Sequence, residues 1–189
     1  MDIILGTGSL MRLQAMERLR LPFHVEISDF DEEQTKSEDI DTLVIETAKG
    51  KAGVLAARFP DSLIITADSN HLFEGKMYGK PRDLREARTW LWEMRGKTQE
   101  IHTGLVLTLP SSQKQTIDLN VSRFTLKNFS EEALEQYLVE GAPLKRAGAM
   151  TPVGPGLLIL ELFEGEPGAD LALPLDTLRR RLREFGVEV

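Results

Sequence analysis

Short runs of consecutive apolar residues alternate along this chain with stretches whose apolar positions recur every three or four residues. "IIL" at 3–5 and "SLIITA" at 62–67 are of the first kind, and 10–19 and 175–185 are of the second. A fully buried strand tolerates apolar side chains on both faces, whereas a helix lying on a sheet needs only one apolar stripe. The alternation therefore predicts an α/β fold in which helices cover a sheet. At 189 residues the chain is long enough for one sizeable core, and a single domain over 1–189 is expected. No internal repeat or low-complexity tract interrupts it.

Local signals place the elements. Ser9 is a good N-cap for a helix over 10–19, Pro22 closes that unit, and 23–27 alternates as a second strand. "SDFDEEQTKSEDID" is acidic and without apolar periodicity, so it reads as a solvated loop. Residues 41–59 carry Leu43, Val44, Ala48, Leu55 and Phe59 at helical spacing despite two glycines. The strand "SLIITA" ends at Asp68, Glu74-Gly75 marks a hairpin, and 83–95 reads as a helix stopped by Gly96. "EIHTGLVLTL" and "TIDLNVSRFTL" are two longer strands joined by a turn near 111–114, the antiparallel part of a mixed sheet. Ser130 caps a helix through Val139. Leu175, Leu178, Leu182 and Phe185 define the last helix, with Arg179 to Arg181 and Arg183 read as solvated partners of its dipole.

Composition narrows the function. Zero cysteines exclude disulfides, thiolate metal sites and cysteine nucleophiles, and fit a reducing compartment. No apolar run approaches a bilayer span and the start lacks the pattern of a signal peptide, so the expectation is a cytoplasmic protein without a membrane partner. His24, His71 and His102 match no two-histidine metal motif. A net charge of −7 disfavours a nucleic-acid polymer as partner, because duplex binding needs a basic face. A small anion remains compatible if local cations meet it.

Several residues could carry chemistry. In "IILGTGSLMR" a strand, a glycine turn and a capped helix aim backbone N–H groups at an anion, although the same pattern serves a plain strand-to-helix turn. Met11 occupies the third glycine place of the dinucleotide fingerprint, which opposes a dehydrogenase, and no P-loop lysine follows. Asp68 ends a buried strand, where α/β proteins tend to bind ligands. Asp31, Glu32 and Glu33 gain interest if they face it, since paired carboxylates hold a hard divalent cation. Arg12, Lys51, Lys80, Lys145 and Arg146 are separate cations that a polyphosphate would need gathered together.

In this order these pieces resemble the Maf family of nucleotide pyrophosphatases over nearly the whole chain. "ILGTGSLMR" looks like the family's opening Ala-Ser-x-Ser-Pro-x-Arg loop, "DEEQ" like its acidic segment and "AKGKA" like its Ala-x-x-Lys-Ala helix. "TADS" is similar to Gly-Ala-Asp-Thr, "YGKPRD" to the Lys-Pro segment and "HTGLVL" to the Thr-Gly strand. "APLKRAGAM" is similar to Pro-Leu-x-x-Ala-Gly, and "ALPL" to Gly-Leu-Pro-Leu.

The resemblance implies an inosine triphosphatase-like fold, with a curved mixed sheet flanked by helices and two lobes around a central cleft. It implies hydrolysis of a nucleoside triphosphate to monophosphate and pyrophosphate with Mg²⁺ or Mn²⁺, in cleaning of the nucleotide pool, and a homodimer. Some members are linked to septum formation. Carried over by position, Asp68 is the central catalytic carboxylate and Glu33 its partner toward metal or water. Lys51 and Lys80 form the cationic wall, and Gly8, Ser9, Arg12, Arg146 and Val153 contact substrate.

Departures accompany the match. Leu10 and Met11 replace the loop's proline and first arginine, a loss of roughly 1.5 to 3 kcal/mol in a charge-assisted contact. Val153 stands where the family carries Gln or Glu near the base, and it cannot hydrogen-bond a base edge. "RFPDSLIITADS" with "GKP" looks closer to the 7-methyl-GTP branch than to the dTTP and UTP branch. The alternative reading is a nucleotide-binding, division-regulating member that has lost most turnover.

Overall fold

The computed structural model describes residues 1–189 and contains seven strands and five α-helices. In chain order these are β1 (Ile3–Gly6), α1 (Leu10–Glu17), β2 (His24–Glu26), α2 (Ile40–Arg58), β3 (Leu63–Phe73) and β4 (Lys76–Tyr78). There follow α3 (Leu84–Met94), β5 (Thr98–Leu109), β6 (Lys114–Leu126), α4 (Glu131–Glu140), β7 (Leu160–Glu164) and α5 (Leu175–Glu184). The strands form one sheet in the order β2-β1-β3-β5-β6-β7, with β4 paired to β3. β1 runs parallel to β2 and β3, whereas β3–β4 and β6–β7 are antiparallel, so the sheet is mixed as the sequence predicts.

The chain divides into two compact units. One comprises Met1–Asp68, Thr103–Asn120 and Glu166–Val189, and the other Ser69–His102 and Val121–Gly165.

In the first unit, α2 is fixed on the sheet by three close approaches. The Thr66 hydroxyl donates to the Ala48 carbonyl at 2.8 Å, with both groups buried. Gly104 leaves room for the α2 backbone, because a Cβ there would stand 2.6 Å from the Val44 carbonyl oxygen. Gly6 likewise admits Leu55, whose Cδ1 would be 2.5 Å from a Cβ at that position. Ala48 and Ala52 then pack on Val106. These contacts fix the rotation of the helix about its axis.

The second unit has its own core, in which Phe73, Leu91, Met94, Phe124, Tyr137 and Ile159 are buried together. Tyr137 pegs the 147–151 segment. Its hydroxyl donates to the Ala149 carbonyl at 2.8 Å and accepts from the Thr151 N–H at 3.1 Å. Burial pushes the phenol pKa above its ordinary value.

Several elements differ from the sequence reading. β3 continues five residues past Asp68, because the turn forms only where Glu74 and Gly75 take positive φ of 48° and 77° and return the chain as β4. β2 shrinks to three residues, and β7 has no counterpart in the predicted elements. The acidic loop contains a single 3₁₀ turn at Glu32–Gln34, capped by the Asp31 carboxylate. The α5 arginines are not merely solvated: Arg181 donates from Nε and Nη2 to the two Asp118 carboxylate oxygens on β6, both at 2.7 Å. The Asp118 bonds hold the Arg181 guanidinium above its ordinary pKa.

Candidate active site

The first unit contains six of the candidate site residues, Gly8, Ser9, Arg12, Glu33, Lys51 and Asp68. β1 is buried along its whole length and delivers the chain into the 7–9 loop. There the Thr7 hydroxyl accepts the Ser9 N–H at 3.0 Å, and Ser9 takes extended backbone as the N-cap of α1. The Ser9 hydroxyl accepts from the Arg12 N–H at 3.5 Å, so the loop and the first helical turn are tied together. Gly8 is exposed, and it keeps a Cβ-free surface beside the Ile27 side chain. The N-terminal end of α1 is the positive end of the helix dipole, which suits an anion.

Arg12 projects from that turn, and its Nε donates to the Ala172 carbonyl at 3.0 Å. Ala172 has a φ of 58°, a left-handed conformation in which an alanine carries strain, and it follows the 3₁₀ turn Ala169–Leu171. Glu166 steadies this region by accepting from Asn120 Nδ2, the Thr177 N–H and the Thr177 hydroxyl at 2.8 to 2.9 Å. Desolvation lowers the Arg12 pKa, and the carboxylates of Asp68 and Glu32 oppose that shift.

Lys51 is the centre of the arrangement. The α2 docking contacts turn its side chain inward, leaving it only 10% exposed, and its Nζ lies 2.7 Å from both Asp68 Oδ1 and Glu32 Oε1. Asp68 sits on β3 immediately after the buried Leu63–Ala67 run. One lysine thus ties the sheet, the long helix and the acidic segment to one point.

The acidic-segment carboxylate at Lys51 is that of Glu32. In the capped turn Glu33 uses its N–H to reach the Asp31 carboxylate, and its own side chain is exposed. Neighbouring residues of a 3₁₀ turn point about 120° apart, so only one of the pair can face Lys51. The "DEE" run signals an acidic segment but carries no mark of which carboxylate turns inward.

The other candidates lie in the second unit. Lys80 is exposed after β4, and Arg146 is half-buried between the 3₁₀ turns Pro143–Lys145 and Ala147–Ala149. Val153 is half-buried in extended backbone ahead of the 3₁₀ turn Gly154–Leu158. Of the two departures in the opening loop, Leu10 is 74% exposed at the start of α1, and Met11 is half-buried.

The chain is thus an α/β protein with a mixed sheet flanked by helices, whose first unit carries a Ser9-capped helix N-terminus and a lysine clasped by two carboxylates. The family model described as Maf-like protein matches residues 2–185, and the chain belongs to the Maf family. A nucleoside triphosphate pyrophosphatase of Synechococcus sp. strain JA-3-3Ab is 37% identical over 185 residues, covering 97% of this chain and 94% of the relative. A 7-methyl-GTP pyrophosphatase of Chromohalobacter salexigens is 33% identical over 187 residues, with 98% and 97% covered. Among solved structures, a HAM1 protein from Coxiella burnetii superposes with a TM-score of 0.55 at 13% identity, covering 97% of this chain and 99% of that one, a likeness of fold. No helix is long and apolar enough to cross a membrane.

Proposed function

We propose that this protein hydrolyses a nucleoside triphosphate to the monophosphate and pyrophosphate, a reading supported by relatives named nucleoside triphosphate pyrophosphatase and 7-methyl-GTP pyrophosphatase. The observation that carries the reading is Lys51 held between Asp68 and Glu32, in the same unit as the Ser9-capped turn and Arg12.

A triphosphate brings several negative charges, which must be met before a nucleophile can approach phosphorus. The α1 N-terminus and Arg12 supply fixed donors to phosphate oxygens, and Arg12 is held in place by the Ala172 carbonyl rather than left to find its geometry. Asp68 accepts a hydrogen bond from the attacking water and orients it toward the α-phosphorus. The water oxygen forms the new bond to the α-phosphorus as its proton passes to the Asp68 carboxylate and on to solvent, the α–β bridging bond breaks, and the electron pair leaves with pyrophosphate. Lys51 keeps the carboxylate of Asp68 oriented.

The carboxylates of Asp68 and Glu32, both reaching one ammonium, are oxygen donors of the kind that hold Mg²⁺ or Mn²⁺ through one or two acidic residues with substrate phosphates completing the shell. Such an ion would supply Lewis-acid stabilisation of the phosphoryl oxygens. Val153 offers no hydrogen bond to a base, and on this reading selectivity among bases is relaxed and the role is removal of unwanted triphosphates from the nucleotide pool.

The test is pyrophosphate release, measured separately from phosphate, over ordinary nucleoside triphosphates and 7-methyl-GTP with Mg²⁺ or Mn²⁺. Release that falls by about 100-fold or more in Asp68→Asn is the expected result. Retained turnover in that variant removes Asp68 from its role. Nucleotide binding by calorimetry without turnover in the parent protein would leave a binding protein instead.

A further inference from the structure

Gly50 lies inside α2, immediately before Lys51, at a position where glycine weakens a helix. A Cβ at Gly50 would stand within 2.7 Å of three carbons of the Phe30 ring, Cζ, Cε1 and Cε2. The ring tip therefore occupies the space that any other side chain would fill. Gly53, three residues further along the same helix, has open space where a Cβ would stand, with nothing within 4 Å, so the helix itself imposes no need for glycine. Phe30 in turn precedes Glu32 by two residues.

The segment between them is short and locally bonded. Asp29 adopts a φ of 52°, the Phe30 N–H donates to the Ser28 hydroxyl at 3.4 Å, and Asp31 caps the Glu32–Gln34 turn through the Glu33 N–H and Gln34 Nε2. Beside the ring the segment and the helix separate around an open recess of about 560 Å³, lined by Phe30, Gln34, Lys36, Glu46, Lys49 and Gly50. The Phe30 ring is thus an apolar contact at the edge of an open recess. The Glu32 carboxylate is 55% exposed, and an ion pair that open to water contributes at most about 1 kcal/mol.

We propose that Phe30 and Gly50 are a knob and notch that position the acidic segment, seating Glu32 on Lys51. Both are positioning residues acting through Glu32, and the proposal rests on the pyrophosphatase reading for its catalytic consequence. The notch sits one residue before the lysine and the knob two residues before the carboxylate, so a shift of the ring is transmitted to the ion pair over a few bonds.

The experiment compares the parent protein with Gly50→Ala, Phe30→Ala, Gly53→Ala and the pair Phe30→Leu/Gly50→Ala. Leucine lacks the ring carbons that an alanine at position 50 would strike. Expected for Gly50→Ala and Phe30→Ala is a fall in kcat for pyrophosphate release of about 10- to 100-fold with KM changed by less than about threefold. The leucine pair recovers most of the loss, Gly53→Ala changes neither constant, and Gly50→Ala adds no further loss in a Glu32→Gln background.

In parallel, ¹⁵N relaxation reads the backbone order of residues 31–35. The expected order parameters are near about 0.85 in the parent and below about 0.6 in Gly50→Ala and Phe30→Ala, and the leucine pair restores them. Phe30→Ala introduces no clash, so it carries the test even if Gly50→Ala does not fold. Unchanged order in that variant, or an equal loss of turnover with and without Glu32, overturns the proposal. A parent protein that releases no pyrophosphate refutes the enzymatic reading, while the relaxation measurement still decides whether the knob and notch hold the segment.

Discussion

Lys51 faces two carboxylates at once, and its replacement changes more than one charge. With the ammonium gone, Asp68 and Glu32 confront each other without their common partner. Lys51→Met is therefore expected to lower kcat/KM for pyrophosphate release by about 100-fold or more, comparable to the loss of a fixed electrostatic group. Its combination with Asp68→Asn should cost little beyond the worse single variant, because the two act as a unit. Steady-state kinetics of the three proteins check this, and fully additive losses would show that they act separately. At this scale the structure brings Lys51 onto Asp68, and it places Ser9 as the cap of the helical turn from which Arg12 projects. The sequence does not separate Glu32 from Glu33, because two adjacent carboxylates have the same chemistry and differ only in how the Asp31-capped turn aims them. Phe30 escapes for a related reason, since a lone aromatic in an acidic stretch carries no periodicity to reveal its seat.

Helices α2 and α5 show how an element's pattern can be read while its attachments are not. The apolar spacing of α2 is visible in the sequence, and its two glycines look equally like defects. In the fold they are different objects, one filled by Phe30 and one facing open space. Gly53→Ala should stabilise the protein by about 0.5 to 1 kcal/mol, read as a higher urea midpoint at unchanged slope. A lower midpoint would mean that the helix needs glycine there. In α5 the leucine stripe at 175, 178 and 182 is buried as its spacing predicts. The arginines read as a solvated face because dipole compensation is local, whereas the Arg181 partner, Asp118, is 63 residues away on β6. Asp118 is 10% exposed, so removing its bidentate partner leaves a poorly solvated carboxylate with only Arg180 beside it at 3.1 Å. Arg181→Ala should cost about 2 kcal/mol, and a double-mutant cycle with Asp118→Ala should show a coupling of about 1 kcal/mol or more. A coupling near zero would return Arg181 to the solvated role.

For the whole molecule, the α/β order and the mixed sheet follow from the alternation of buried runs and amphipathic stretches, but a partner for His71 cannot be read from either. His71 lies on β3 in the second unit, packed edge-on against Phe124 at 5.3 Å, and Gly148 comes so close that a Cβ there would stand 2.7 Å from the ring Cγ. Gly148 takes a φ of 61°, which also favours glycine, and the buried Nδ1 has no hydrogen-bond partner. Burial lowers the His71 pKa from 6.5 to about 3. Between those values the unfolded chain holds a proton on this ring and the folded chain does not, so unfolding takes up a proton and acid favours the unfolded state. The contribution is fully present above pH 6.5, declines as pH falls through the window and levels off below about 3, with a slope of up to about 1.4 kcal/mol per pH unit. Carboxylates titrate in the lower half of that window, so the clean interval is between about pH 6.5 and 5. Urea unfolding of the parent and of His71→Leu across that interval separates the effect: the parent should lose stability as the pH falls, and the leucine variant should be nearly flat. A leucine variant with the parent's slope would mean that His71 is protonated inside the fold. In that case a buried charge would sit against Phe124 and Gly148, and the second unit's core would have to supply an acceptor for it.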